Sequence, residues 1–167
     1  GFANMYLALE TLPADLRKRI VGRTIKNDLR YTSGGQLRPG YTGKEDICTA
    51  PGPSHPIIRR HEETGHHALY LGRRPYSYIN GLTLEESDAL LNEIWAHATR
   101  SEFTWHHQWQ IGDVLIWDNR CAMHRRDAFD PQSRRIMHRT QCKGMPVIAT
   151  TTQELEHLTP HPRGSGR

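Results

Sequence analysis

Long apolar runs, paired cysteines, internal repeats and a marked charge imbalance are all missing from this chain of 167 residues. No stretch approaches the ~20 apolar residues that a bilayer-spanning helix needs, which excludes a membrane span and a membrane partner. The three cysteines, Cys48, Cys121 and Cys142, lie far apart with no C-x-x-C pair. Neither a zinc ribbon nor a disulfide framework is therefore indicated, and a reducing, cytoplasmic setting is expected. Lys and Arg number 22 against 18 Asp and Glu, an excess too small for a dedicated nucleic-acid binder. The opening GFANMYLALETL lacks both the basic start and the apolar core of a signal peptide.

What is present suffices for one hydrophobic core. The chain is 36% hydrophobic and 24% charged, with a mean hydropathy of -0.71, which suits one domain of ordinary size. Residues 1–150 are read as that domain, and 151–167 as a tail that becomes disordered towards its Pro, Gly, Ser and Arg end. Eleven histidines stand out, because histidine is the commonest transition-metal ligand. Most of them are read as surface or hydrogen-bonded core residues.

Along the chain, residues 2–9 suggest a first helix. Thr11, Pro13 and ADLRKRI suggest the capped start of a second. Residues 31–56 are crowded with Gly, Pro, Ser and Thr and read as a functional loop or lid, with Tyr31, Leu37, Tyr41 and Ile47 available for burial. Residues 56–60 and 68–71 read as a hairpin whose turn HEETGHH closes at Gly65. Thr83 and Glu86 form a capping box for a helix reaching about Thr99, with Leu84, Leu91, Ile94, Trp95 and Ala98 on one side. Strands are expected over 103–109, 113–117, 134–141 and 145–150, which are rich in aromatic and β-branched residues.

Chemistry concentrates in GDVLIWDNRCAMHRRDAFDPQSRRIMHRTQCKG, residues 112–144. A strand ending at Trp117 runs into the polar turn Asp118-Asn119-Arg120, and His124 follows, where a rigid sheet can aim an imidazole at a metal. If 134–141 is a strand, Arg135, Met137 and Arg139 share a face. The two arginines are then separated by roughly 13 Å at the Cα atoms, room for two anionic groups flanking a metal. A solvated basic face or a phosphate-binding patch fits the same residues, and Arg125 and Arg126 belong to such a face beside Asp127 and Asp130.

The segment WDNRCAMHRRDAFDPQSRRIMHRTQCKG resembles the C-terminal signature of the TauD/TfdA family of iron(II)- and 2-oxoglutarate-dependent dioxygenases. The likeness runs back through FTWHHQWQIGDVLIWDNR, LTLEESDALLNEIWAHAT and HPIIRRHEETGHHALYLG to FANMYLALETLPADL. It implies a mainly β fold with flanking helices, the C-terminal part of a double-stranded β-helix or jelly roll whose N-terminal part is missing. It also implies an Fe(II) cofactor and 2-oxoglutarate as cosubstrate. The reaction implied is hydroxylation of a small organic acid by O2, with release of succinate and CO2.

Carried over by position, the resemblance makes His124 the distant histidine of a two-His-one-carboxylate triad. Arg135 becomes the clamp on the far carboxylate of 2-oxoglutarate. Arg139 becomes the contact to the acidic group of the primary substrate. The family's H-x-D ligands and a cosubstrate threonine lie upstream of its FANMYLAL region, so Gly1 in place of Met is read as a truncation point. His61-Glu62-Glu63 imitates a ligand motif but sits where the family has a turn. His66, His67, His106 and His107 fall on no ligand position. An inactive remnant serving as an anion-binding or oligomerisation module is the alternative, and homo-oligomers stay open. A nucleic-acid-binding module is set aside, because ligand clamps already explain the arginines.

Overall fold

The computed structural model describes residues 1–32, 35–43, 46–71, 77–130, 132–134 and 136–156. Its architecture is mixed, with three antiparallel three-stranded sheets and short helices around one core. The first sheet has β1 (Phe2–Asn4) at its centre, flanked by β7 (Thr104–Trp105) and β8 (Ala122–His124). In the second, β2 (Thr24–Asn27) lies between β3 (Ser54–Pro56) and β6 (Ser77–Ile79). In the third, β4 (Ile58–Arg60) lies between β5 (His67–Leu69) and β9 (Ile148–Ala149).

The expected first helix starts later than the sequence suggested. Residues 2–4 are strand β1, and α1 (Met5–Glu10) begins only after Asn4, whose side-chain oxygen accepts from the Tyr6 and Leu7 N–H groups at 3.1 Å each. An Asn at this position satisfies otherwise orphaned helix N–H groups, so strand passes directly into helix. Thr11 does not cap the second helix. Its hydroxyl donates to the Leu7 carbonyl at 2.8 Å and closes the end of α1, while α2 (Ala14–Ile20) starts after Pro13 without a side-chain cap.

The capping box is present as expected. The Glu86 N–H donates to Thr83 Oγ1 at 3.2 Å, and the Thr83 N–H donates to Glu86 Oε2 at 2.8 Å, at the head of α3 (Leu84–Ala98). The buried face of α3 is Ser87, Leu90, Leu91, Ile94, His97 and Ala98, whereas Leu84 is exposed. Even the polar member is used: Ser87 Oγ accepts from the Ile79 N–H at 2.9 Å and ties α3 to β6. Among the described residues no helix is long and apolar enough to cross a membrane.

The hairpin of β4 and β5 pairs Ile58 with Leu69 and Arg60 with His67. Its turn closes at Gly65, whose φ of 73° suits a residue without a Cβ. The long loop packs back on β2: the Leu29 N–H donates to the Pro51 carbonyl at 2.8 Å and the Asn27 N–H to the Pro53 carbonyl at 3.2 Å. Of its expected anchors only Tyr31 is buried; Leu37 and Tyr41 are exposed and Ile47 is half-buried.

The later strands differ most from expectation. Of 103–109 only Thr104–Trp105 is strand, and of 145–150 only Ile148–Ala149. Residues 113–117 and the described part of 134–141 have no strand pairing. The physical reason is that a strand exists only against a neighbour that takes up its N–H and C=O groups. No such neighbour lies beside these segments among the described residues, and Ile111, Val114 and Ile116 stand almost fully exposed. The tail begins with a short helix, α4 (Thr152–Glu156), whose Leu155 joins the core; residues 157–167 lie outside the described residues.

These assignments separate two leucine-type positions on α3. Ile94→Ala, at a fully buried site, is expected to cost about 2–5 kcal/mol in urea unfolding, and Leu84→Ala about 0.5 kcal/mol or less. Equal losses would mean that α3 presents a different face to the core.

Candidate active site

His124 ends the three-residue strand β8, opposite Phe2 in the antiparallel register. Its imidazole lies beside the Trp117 indole, with ring centroids 5.1 Å apart, and 6.3 Å from the Phe2 ring. Phe2 and Trp117 themselves meet edge to face at 5.3 Å. The Arg139 guanidinium lies 5.5 Å over the Trp117 ring, within the range of a cation–π contact. Partial burial, then the Arg139 charge and the Gly1 amino group, push the His124 pKa down. The shift favours the neutral ring, the form that binds a metal.

Of the three residues singled out by sequence, the structure brings His124 and Arg139 to the same indole. Arg135 lies outside the described residues. Among the described residues His124 belongs to no group of three His, Cys, Asp or Glu ligand atoms close enough to hold an ion. On its own His124 offers one imidazole, and the described residues do not complete a three-ligand site around it.

A group that does have the right spacing is His61, Asp118 and Cys121, whose potential ligand atoms lie within 4.8 Å of one another. Its chemistry points elsewhere. His61 Nδ1 accepts from the Glu63 and Thr64 N–H groups at 3.3 Å each, so the ring proton is on Nε2, which donates to Asp118 Oδ2 at 3.1 Å. The Asp118 carboxylate is also occupied by Arg120, whose N–H donates at 2.8 Å and whose Nη2 donates at 2.7 Å. Burial pushes the Cys121 thiol up, away from the thiolate a metal needs. The expected turn role of His61-Glu62-Glu63 agrees with its place between β4 and β5.

The missed feature is this polar network. Arg120 Nη1 also donates to Glu62 at 3.0 Å and to Glu63 at 2.9 Å, so the 118–120 turn is bolted to the β4–β5 turn. Arg120 is the main cause of a strong lowering of the Asp118 pKa, with burial opposing it and His61 assisting. Burial also pushes the neighbouring Tyr6 hydroxyl up to about 12. One sequence signal was available. Asp28-Leu29-Arg30 repeats the D-x-R spacing, and there too the arginine N–H and guanidinium both close on the carboxylate, at 2.9 Å and 2.8 Å, fully buried.

Residues 1–141 match the family model described as "Taurine catabolism dioxygenase TauD, TfdA family". The chain is 33% identical over 156 residues to the (S)-phenoxypropionate/alpha-ketoglutarate-dioxygenase of Sphingobium herbicidovorans, an alignment covering 90% of the chain and 54% of that protein. It is 32% identical over 140 residues to the alpha-ketoglutarate-dependent 2,4-dichlorophenoxyacetate dioxygenase of Cupriavidus pinatubonensis, covering 83% and 47%. The chain thus spans about half the length of the curated relatives it matches. Among solved structures, AAD-2 in complex with Mn(II) and N-oxalylglycine superposes with a TM-score of 0.68 at 28% identity, covering 82% of this chain and 54% of that one.

The Asp118 cluster sets an acid limit on stability. A carboxylate whose folded pKa lies below its unfolded value stabilises the fold above about pH 4, and the contribution is lost as pH falls through the folded value. Asp118→Asn is expected to lower stability by about 1–2 kcal/mol at pH 7, a figure discounted for the part exposure of Asp118. In urea unfolding followed from pH 7 to about pH 2, the gap between variant and parent should narrow below about pH 4. A gap independent of pH would refute the ionic role.

Proposed function

The chain belongs to the TauD/TfdA family, and from that membership we propose that it is the C-terminal portion of an Fe(II)- and 2-oxoglutarate-dependent dioxygenase acting on a small anionic organic acid. In this reading its sheets form part of a double-stranded β-helix, and His124 is one iron ligand. Arg135 clamps the far carboxylate of 2-oxoglutarate and Arg139 meets the substrate anion. The observation that carries the reading is the placement of His124 and Arg139 about one indole. The acids in the relatives' names, phenoxypropionate and 2,4-dichlorophenoxyacetate, make aryloxyalkanoates the first substrates to try.

Bound Fe(II) with 2-oxoglutarate supplies the activation of dioxygen, coupled to decarboxylation of the cosubstrate. The chain's own residues do the rest. His124 offers a ring nitrogen, and among the described residues neither of its nitrogens is engaged in a hydrogen bond. The Phe2 and Trp117 rings stand beside the exposed imidazole, with centroids 6.3 Å and 5.1 Å away. Arg139, held over Trp117, presents a permanent positive charge beside the imidazole. An aryloxy acid carries both a carboxylate for that guanidinium and an aromatic ring for the exposed Trp105 and Trp109 surface.

Three variants test these roles in protein supplied with Fe(II), 2-oxoglutarate and an aryloxyalkanoate, with succinate as the product measured. His124→Ala should remove at least 99% of succinate formation, in line with loss of a metal ligand. Arg139→Ala should raise the KM for the organic acid about tenfold or more while leaving the 2-oxoglutarate requirement in place. Arg135→Ala should do the reverse. The alternative, an inactive remnant, predicts no charge-transfer absorption when the chain alone receives Fe(II) and 2-oxoglutarate without oxygen.

A further inference from the structure

His61 is 3% exposed and takes no part in the proposed reaction, yet its ring reaches the turn that leads into His124. We propose that His61, Glu62, Asp118 and Arg120 form a positioning network that fixes the direction of the His124 imidazole. The proposal deepens the reading of His124 as a metal ligand and rests on it for its functional meaning.

The need for such a device follows from the strand. β8 has three residues, and among the described residues it is hydrogen-bonded on one side only, to β1. Its register rests on three residue pairs, continued by reciprocal Gly1–Arg125 backbone hydrogen bonds at 2.9 Å each; this short ladder fixes the backbone but does not by itself hold a side chain to the ~0.5 Å and ~10–20° that a working site demands. The segment before it gives no help, because residues 109–114 and 116 are exposed and unpaired by any strand. The anchor is the turn itself.

That turn is held through both backbone and side chains. The Asp118 carbonyl accepts from the Cys121 and Ala122 N–H groups at 3.3 Å and 2.9 Å, and the Cys121 carbonyl accepts from the Met5 N–H at 3.0 Å. The Asp118 carboxylate accepts from His61 and from the Arg120 fork, both at Oδ2. Arg120 then reaches Glu62, which is itself held by the buried Arg59 at 2.8 Å. Two separate links thus run from the β4–β5 hairpin, seated in the core by Ile58 and Leu69, to the start of β8. The His61 tautomer required by its two backbone donors is the one that serves Asp118, so the network has a single proton arrangement.

The test reads His124 directly, without metal or turnover. In the full chain with 13C-labelled histidine, the His124 ring signal is assigned by its loss in His124→Ala. It is expected to lie away from the free-imidazole position because of the Trp117 and Phe2 rings. In His61→Leu that signal should move towards the free position or split. His61→Gln, which keeps an N–H donor for Asp118, should restore it. Glu62→Gln, at a partly exposed residue, should shift it in the same direction and covers the case in which His61→Leu does not fold. Variants that lose thermal stability but leave the His124 signal in place would show a scaffold role only and overturn the proposal. Adding Mn(II) in large excess to the parent protein reads the ligand assignment separately, since even a weakly held paramagnetic ion broadens the ring it touches: broadening of the His124 signal beyond that of the other exposed histidines is expected, and its absence would defeat that assignment while leaving the ring-position result standing.

Discussion

Pairing of β1 on both of its edges is the interaction on which the candidate site depends. Phe2 lies opposite Trp105 on one side and His124 on the other, so three residues near the start of the chain join the exit of α3 to the candidate ligand strand. The same three residues end at Asn4, whose side chain starts α1. The helix then buries Met5, Tyr6, Ala8 and Leu9. Backbone hydrogen bonding and helix capping thus act on consecutive residues, and the apolar surface buried by α1 holds the sheet carrying His124 in place.

Around that frame the polar contacts divide into two kinds. Arg19 and Glu93 pair on the surface, where both side chains are nearly half exposed, and such pairs contribute little. The Asp118 cluster is different. It joins two turns that sequence places far apart, includes the buried His61 and Arg59, and satisfies its carboxylates with several charge-assisted donors. Removing one partner there leaves another partly buried charge uncompensated, which is why its members act together.

How much could be read in advance varied with the range of the interaction. The β4–β5 hairpin and the α3 capping box were legible because each rests on residues within a few positions, Gly65 in one and Thr83 with Glu86 in the other. The start of α1 was misplaced because FANM pairs with strands over a hundred residues away, which local propensity cannot register. The segments 113–117 and 134–141 carry strand-like composition, and Val114 and Ile116 alternate with the less exposed Leu115 and Trp117. Composition alone does not make a strand without a partner.

For the candidate site the same division holds. The motif around Asp118 and His124 identified the family and the three residues of interest, because spacing along one segment is a property of sequence. The choice of His124 over His61 came from the same spacing, but the contacts that occupy His61 were not legible. His61 and His124 are both histidines next to polar turns, yet folding engages both nitrogens of His61 and leaves His124 exposed beside the Phe2 and Trp117 rings. By itself the sequence determined the family, the α3 capping box and the hairpin, since these depend on neighbours in the chain. Only the tertiary structure decided which strands form and where His124 and Arg139 sit, since those depend on backbone partners and rings from distant residues.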